Sequence, residues 1–348
     1  MQLPQPRGPI SAGLVDALAR APHDLPDSLA AAAGAAGGDL DDEDLQLSLH
    51  VCYELHYRGF DGVDEDWEWH PSLLAVRRAA ERRFEAALRR LVPVPAAVPP
   101  AQVPGALAAL VEADDGPGLS KYLTARATLE QFREFVMHRS IYHLREADPH
   151  TWAIPRLAGR AKAALVEVQA DEYGGGRPER MHAELFRTTM DRLGLDTAYG
   201  AHLDAVPAVT LATNNLMSLF GLHRRLRGAV LGHLAAFEMT SSLPNRRYGN
   251  GLRRLGGDDD ATRFYDEHVE ADAVHEQIAA HDLCGGFCAD LPEREREQQT
   301  SLLLFGAACA LALDGRFAAH LLQRWEAGES SLRQPESSGR SLVGALGA

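Results

Sequence analysis

Helical periodicity runs through this chain and no alternating strand pattern interrupts it, so its apolar residues are expected to be buried by packing helix on helix. The fold class is all-α. Glycine and proline punctuate the pattern. A short helix near 11–20 is followed by a flexible, acidic connector that reaches residue 44 and contains Ala-Ala-Ala-Gly-Ala-Ala-Gly-Gly at 31–38. A helix over 45–58 ends at Gly59, an acidic loop over 61–70 carries Trp67 and Trp69, and 72–91 forms a strongly amphipathic helix. Five prolines over 92–104 exclude a helix interior and mark a crossover. Helices are then expected over 105–112, 119–144, 157–173, 179–193, 207–217 and 225–242, with a Gly- and Arg-rich stretch over 243–257 before the next one.

That next helix contains the most informative stretch, Asp266-Glu267-His268-Val269-Glu270-Ala271-Asp272-Ala273-Val274-His275, with no Gly or Pro inside. At about 100° per residue, positions i, i+4 and i+7 share one helical face. His268, Asp272 and His275 occupy them, and two imidazoles with a carboxylate can bind iron, manganese or zinc. Glu267 and Glu270 lie opposite and can stay solvated. A polar helix rich in His and acids presents the same letters, so partners on other helices decide the matter.

Candidate partners exist. Glu172 closes one helix and His182 opens the next, across Gly174-Gly175-Gly176, and this break lets both side chains turn inward. Glu238 sits among Ala235, Ala236, Phe237 and Met239, where an acid is costly unless paired, protonated or bound to a cation. Glu54 and His56 are two residues apart on a helix and diverge, so a structural or capping role is expected for them. Arg246, Arg247, Arg253 and Arg254 can hold a substrate carboxylate or pair with surface acids.

Charge and cysteine usage bound the rest. Lys and Arg number 35 against 49 for Asp and Glu, a formal charge of −14, so nucleic acid and anionic membrane are not expected as partners. Cys52, Cys284, Cys288 and Cys309 form no CxxC pair and are expected to be buried free thiols in a reducing compartment. No secretory signal is expected at the N-terminus, and the most apolar stretch, 301–313, is too short to span a bilayer. A cytoplasmic location is expected.

Glu172, His182, Glu238, His268, Asp272 and His275 supply three carboxylates and three imidazoles from four helices, a donor set suited to two irons. Paired Glu-x-x-His motifs of the ferritin type are absent, which implies a different bundle. In this order the residues resemble the haem-oxygenase-like di-iron oxidases, also described as iron-containing redox enzymes. The resemblance covers roughly 125–325 and rests on His268-x3-Asp272-x2-His275, Glu238, His182 and Glu172. It implies a seven-helix haem-oxygenase-like bundle that binds two Fe ions and no haem, with O2 as co-substrate. Members oxidise small amine- or carboxylate-bearing molecules by N-oxygenation, C–C cleavage or decarboxylation.

Glu146, on the preceding helix end, resembles an extra carboxylate ligand of the N-oxygenating members, so N-oxygenation is the expected outcome. Glu238 is the carboxylate expected to bridge the two irons, and Tyr142, Asn214, Asn215 and Met239 are expected around the substrate. Other oxidations on the same centre, haem binding, and a non-enzymatic iron- or partner-binding role are the alternatives. The resemblance further implies an N-terminal helical region, 45–124, that packs on the bundle and helps form a homodimer. An external electron donor fits this chemistry, and a flexible tail is expected over 326–348. The β-rich cupin segment of the multidomain N-oxygenases is not expected here.

Overall fold

The computed structural model describes residues 1–333 apart from 36, 38 and 39, and the side chains of 270–274 are outside the described residues. No strand occurs among the described residues. The helices that position the site are α1 (Glu43–Glu54), α2 (Pro71–Leu91), α3 (Leu129–His143), α4 (Gly159–Glu172), α5 (His182–Arg192), α6 (Ala208–Leu222), α7 (Arg227–Arg254), α8 (Asp259–Gln277) and α9 (Glu293–Glu326).

The central pair is α7 and α9. Their backbones approach closely because Gly232 has no side chain: a Cβ there would lie 1.8 Å from the Leu303 carbonyl oxygen. A stretch of α9 is apolar and long enough to cross a membrane by length and composition, but 61% of it is buried inside the fold. Leu303, Phe305, Cys309 and Leu313 meet the apolar sides of α6 and α7 there. All four cysteines are free and buried.

The sequence reading ends a helix at 242, whereas α7 continues through Pro244 to Arg254. Proline removes one backbone donor and frees the carbonyl four residues earlier, that of Thr240. Thr240 and Pro244 both line the large cavity described below. The expected single helix over 119–144 is instead two, Leu119–Ala125 and α3. The Thr128 side chain caps the α3 N-terminus, reciprocated by Gln131.

Helix Pro9–Leu18 stands where a short helix is expected near 11–20, whereas the stretch after it, expected to be a flexible connector, contains helix Asp27–Gly34. Their Leu14, Leu18 and Leu29 join the main core, because these apolar positions recur at helical spacing. The region around α1 and α2 packs into the same core. Glu54 and His56 are structural, as expected: Glu54 meets Arg145 at 3.0 Å and His56 meets Glu68 at 2.9 Å. The tail from 334 on lies outside the described residues. Before it, Ser331 is buried and donates its hydroxyl to Glu134 at 2.6 Å, tying residues after α9 back onto α3.

Candidate metal centre

Glu172 ends α4 and His182 begins α5, and the chain between them must reverse tightly. Gly174, Gly175 and Gly176 all have positive φ. A Cβ on Gly174 would lie 2.6 Å from the carbonyl carbon of Arg180, so only glycine fits this turn. The reversal brings Glu172 Oε2 within 2.8 Å of His182 Nδ1. Neither atom has an aligned hydrogen-bond partner.

Glu146 arrives from the turn after α3, where Ala147 has φ 72°, a left-handed conformation unusual for a residue with a Cβ. Its Oε1 lies 2.8 Å from His143 Nδ1 and 3.7 Å from His268 Nε2. Burial acts to raise its pKa, but the imidazoles of His143 and His268 outweigh it and hold the carboxyl well below its usual range. Glu172 is likewise held low, with burial opposed by His182.

On α8 the His268 Nδ1–H donates to the Phe264 carbonyl one turn back, at 2.8 Å. A carbonyl can only accept, so in the neutral ring Nε2 is the basic nitrogen, and it is Nε2 that approaches Glu146. His275 is oriented from two sides. Its Nε2 donates to Asp171 Oδ2 at 2.9 Å, and its Nδ1 lies 3.4 Å from Glu238 Oε2 on α7. Burial alone would lower the His275 pKa, but Glu238 and Asp171 raise it to about 9.

Two groups of candidate ligands result. Glu146, Glu172, His182 and His268 offer donor atoms within 4.8 Å of one another, and so do Glu172, Glu238 and His275. Among the described residues Glu172 is the carboxylate common to both groups, and Glu238 belongs to one. Asp272 lies on α8 between the two histidines, but its side chain is outside the described residues. Asp171 and His143 had no signal in the sequence beyond being polar neighbours of Glu172 and Glu146; only packing shows whom they touch.

The donor chemistry fits metal. Glu146 Oε2 is buried without a hydrogen-bond partner, and Glu172 Oε2, His182 Nδ1 and His275 Nδ1 have close opposite charges but no aligned hydrogen bond. A buried polar atom left unsatisfied costs roughly 1–3 kcal/mol, a penalty that a cation beside Glu146 would remove. Oxygen and imidazole nitrogen donors on helices suit iron.

A cavity of about 270 Å³ opens on these groups, with Glu146, Glu172, Glu238 and His268 in its wall. Phe135, Phe186, Leu234 and Phe237 make it partly apolar. Arg139 also lines it, about one turn before Tyr142 and His143 on the same face of α3. Its guanidinium bonds Asp314 at 2.8 Å and sits 4.5 Å from the Phe317 ring centroid. Tyr142 lines the cavity as expected, whereas Asn215 and Met239 do not. Asn215 instead holds Gln46, and Asn214 lines a smaller neighbouring cavity. The arginines singled out in the sequence do not line the cavity either. Arg247 bonds Ser120, Arg253 pairs with Asp266, and Arg254 caps the carbonyls of Leu123, Thr124 and Ala127.

The iron-containing redox enzyme family matches residues 133–315, just over half of the chain. That span holds all the sequence-predicted ligands. The chain is also similar to a nitrosourea synthase of Streptomyces achromogenes subsp. streptozoticus, with 29% identity over 138 residues, 39% of this chain and 29% of the relative. The matched stretch therefore spans less than a third of that relative. On the family match, with an all-α architecture around it, the chain belongs to the iron-containing redox enzymes.

Proposed function

We propose that this oxidoreductase is a non-haem di-iron oxygenase that uses O2 to oxidise a small amine- or carboxylate-bearing metabolite, with N-oxygenation as the outcome. The observation that carries the reading is the pair of ligand groups sharing Glu172, with Glu146 as an additional carboxylate. The similarity to a nitrosourea synthase supports a nitrogen-centred reaction.

In this reading Glu146, Glu172, His182 and His268 would hold one iron and Glu172, Glu238 and His275 the other, with Asp272 as the further ligand expected from the sequence. When bound, the irons supply Lewis acidity and the electrons for O2. The protein's own contribution is orientation and exclusion of water. Phe264 fixes the tautomer of His268, and Asp171 fixes that of His275. Arg139 and Asp314 offer opposite charges to a substrate bearing a carboxylate and an amine, while Phe186 and Phe237 exclude water from the reacting end. The N-terminal helices joining two copies into a homodimer belong to the same proposal.

Anaerobic iron titration, followed by O2 and a panel of amines, tests it. Two irons per chain and a product heavier by oxygen are expected. Loss of a carbon fragment would favour oxidative cleavage on the same centre, and iron held without O2 uptake would favour a binding protein. Full oxidase activity in His268→Ala would overturn the reading.

A further inference from the structure

Several buried histidines lie outside the ligand groups. His150 and His233 are each 1% exposed, and His150 Nε2 lies 3.1 Å from His233 Nδ1. His150 also lines the large cavity beside Glu146 and Glu172, and its Nδ1 is buried without a partner. On its far side His233 lines a second cavity of about 20 Å³, the space of about one water, together with His138, Thr210, Thr213 and Asn214. Asn214 Oδ1 is buried there without a donor. His138 continues the line outward. Its Nδ1 is 2.7 Å from Thr210 Oγ1 and its Nε2 is 3.1 Å from Ser331 Oγ, which in turn lies 2.6 Å from the half-buried Glu134.

From this continuity we propose that Glu134, Ser331, His138, Thr210, His233 and His150 form a proton relay from the surface of the bundle to the large cavity. The proposal rests on the O2-dependent reading above, because reduction of O2 takes up protons at the cavity.

The transfer balances at every atom. His150 releases its Nδ1 proton into the large cavity. The proton on His233 Nδ1 crosses to His150 Nε2, and His233 Nε2 takes up one from a water in the small cavity. One proton enters and one leaves, both rings stay neutral, and each has exchanged tautomers. At rest the Ser331 hydroxyl donates to the Glu134 carboxylate. Once Glu134 takes a proton from solvent and passes it to Ser331 Oγ, the Ser331 proton goes to His138 Nε2, the His138 Nδ1 proton goes to Thr210 Oγ1, and the Thr210 hydroxyl proton goes to the water in the small cavity. Burial holds His150 down to about 4, despite Glu172 and Glu146, and holds His138 and His233 well below their usual value, so the rings can pass protons without storing charge. If these histidines only filled the core, the orphaned Nδ1 of His150 and Oδ1 of Asn214 would be uncompensated costs.

Two measurements test the relay. In the metal-free protein, imidazole nitrogen NMR between pH 6 and 8 is expected to show His150 and His233 neutral and each exchanging between tautomers; either ring locked in one tautomer overturns the relay. In the iron-loaded protein, His233→Gln keeps a hydrogen-bonding partner for His150 but cannot pass a proton through. It is expected to bind the same iron as wild type while O2 uptake slows at least tenfold, in line with the roughly 10²–10⁴-fold worth of positioned proton transfer. Unchanged uptake overturns the relay. Ser331→Ala, at the outer end and far from the ligands, is expected to slow uptake also, and serves if the first variant does not fold; unchanged uptake there counts against the relay. If iron-loaded wild type takes up no O2 with any amine, the functional reading falls and the NMR result alone decides the relay.

Discussion

Glu54 and Arg145 form an ion pair at 3.0 Å in which neither side chain reaches solvent, and it joins α1 to the turn that presents Glu146. Tyr199 donates to both Glu54 oxygens at 2.9 Å, and the Arg145 guanidinium lies 4.5 Å from the Tyr57 ring centroid. The N-terminal helices therefore help hold a candidate ligand in place. Removing one partner of a buried pair strands the other charge, at a cost of about 3–5 kcal/mol. Glu54→Ala is expected to lose that much in urea denaturation, and to weaken iron binding at the Glu146 group. Glu54→Leu with Arg145→Met should recover much of the stability.

Because Glu172 belongs to both ligand groups, its loss should be worse than that of any other carboxylate. Glu172→Ala is expected to abolish tight binding of both irons. Glu146→Ala and Glu238→Ala should each spare one. Iron counted per chain after anaerobic loading and desalting checks this, and equal loss in all three variants would refute a shared role for Glu172.

Asp171 is largely exposed, yet it fixes the ring of His275. Loss of such an orienting partner typically costs about 10–100-fold in metal affinity. Asp171→Asn is expected to do so with little change in stability, as read by titration calorimetry under argon.

The same pair sets a pH dependence. The folded, metal-free His275 pKa, about 9, lies above the ordinary value of about 6.5. Its contribution to stability is therefore fully present below about pH 6.5 and is lost as pH rises through 9. Iron must displace that proton, so uptake should tighten from pH 6.5 to 9 with proton release. Proton release measured in two buffers of different ionisation enthalpy checks the sign, and Asp171→Asn should shift the midpoint downward.

Arg139 lines the cavity but belongs to neither ligand group. Arg139→Ala is expected to leave the iron count unchanged and to raise KM for a carboxylate-bearing substrate at least tenfold. Asp314→Asn should act instead on substrates bearing an amine. A KM unaltered in both would remove these residues from substrate recognition.

The amino-acid sequence by itself determined the all-α class and the alignment of His268, Asp272 and His275, because 3.6-residue periodicity fixes angles within one helix. It also marked Glu172 and His182, since three consecutive glycines announce a reversal, and Glu238, since an acid among apolar residues demands a partner. Within a helix, Pro244 misled, because one missing backbone hydrogen bond does not end a helix whose two sides are both held by packing. What only the tertiary structure decided lies between helices. Which carboxylate is common to both groups, that Asp171 orients His275, that Arg139 rather than the later arginines lines the cavity, and that His150 meets His233 all depend on helix crossing and depth of packing. Spacing along one chain does not encode those distances; they are set when buried side chains across the bundle, Gly232 against Leu303 among them, fix how closely the helices can approach.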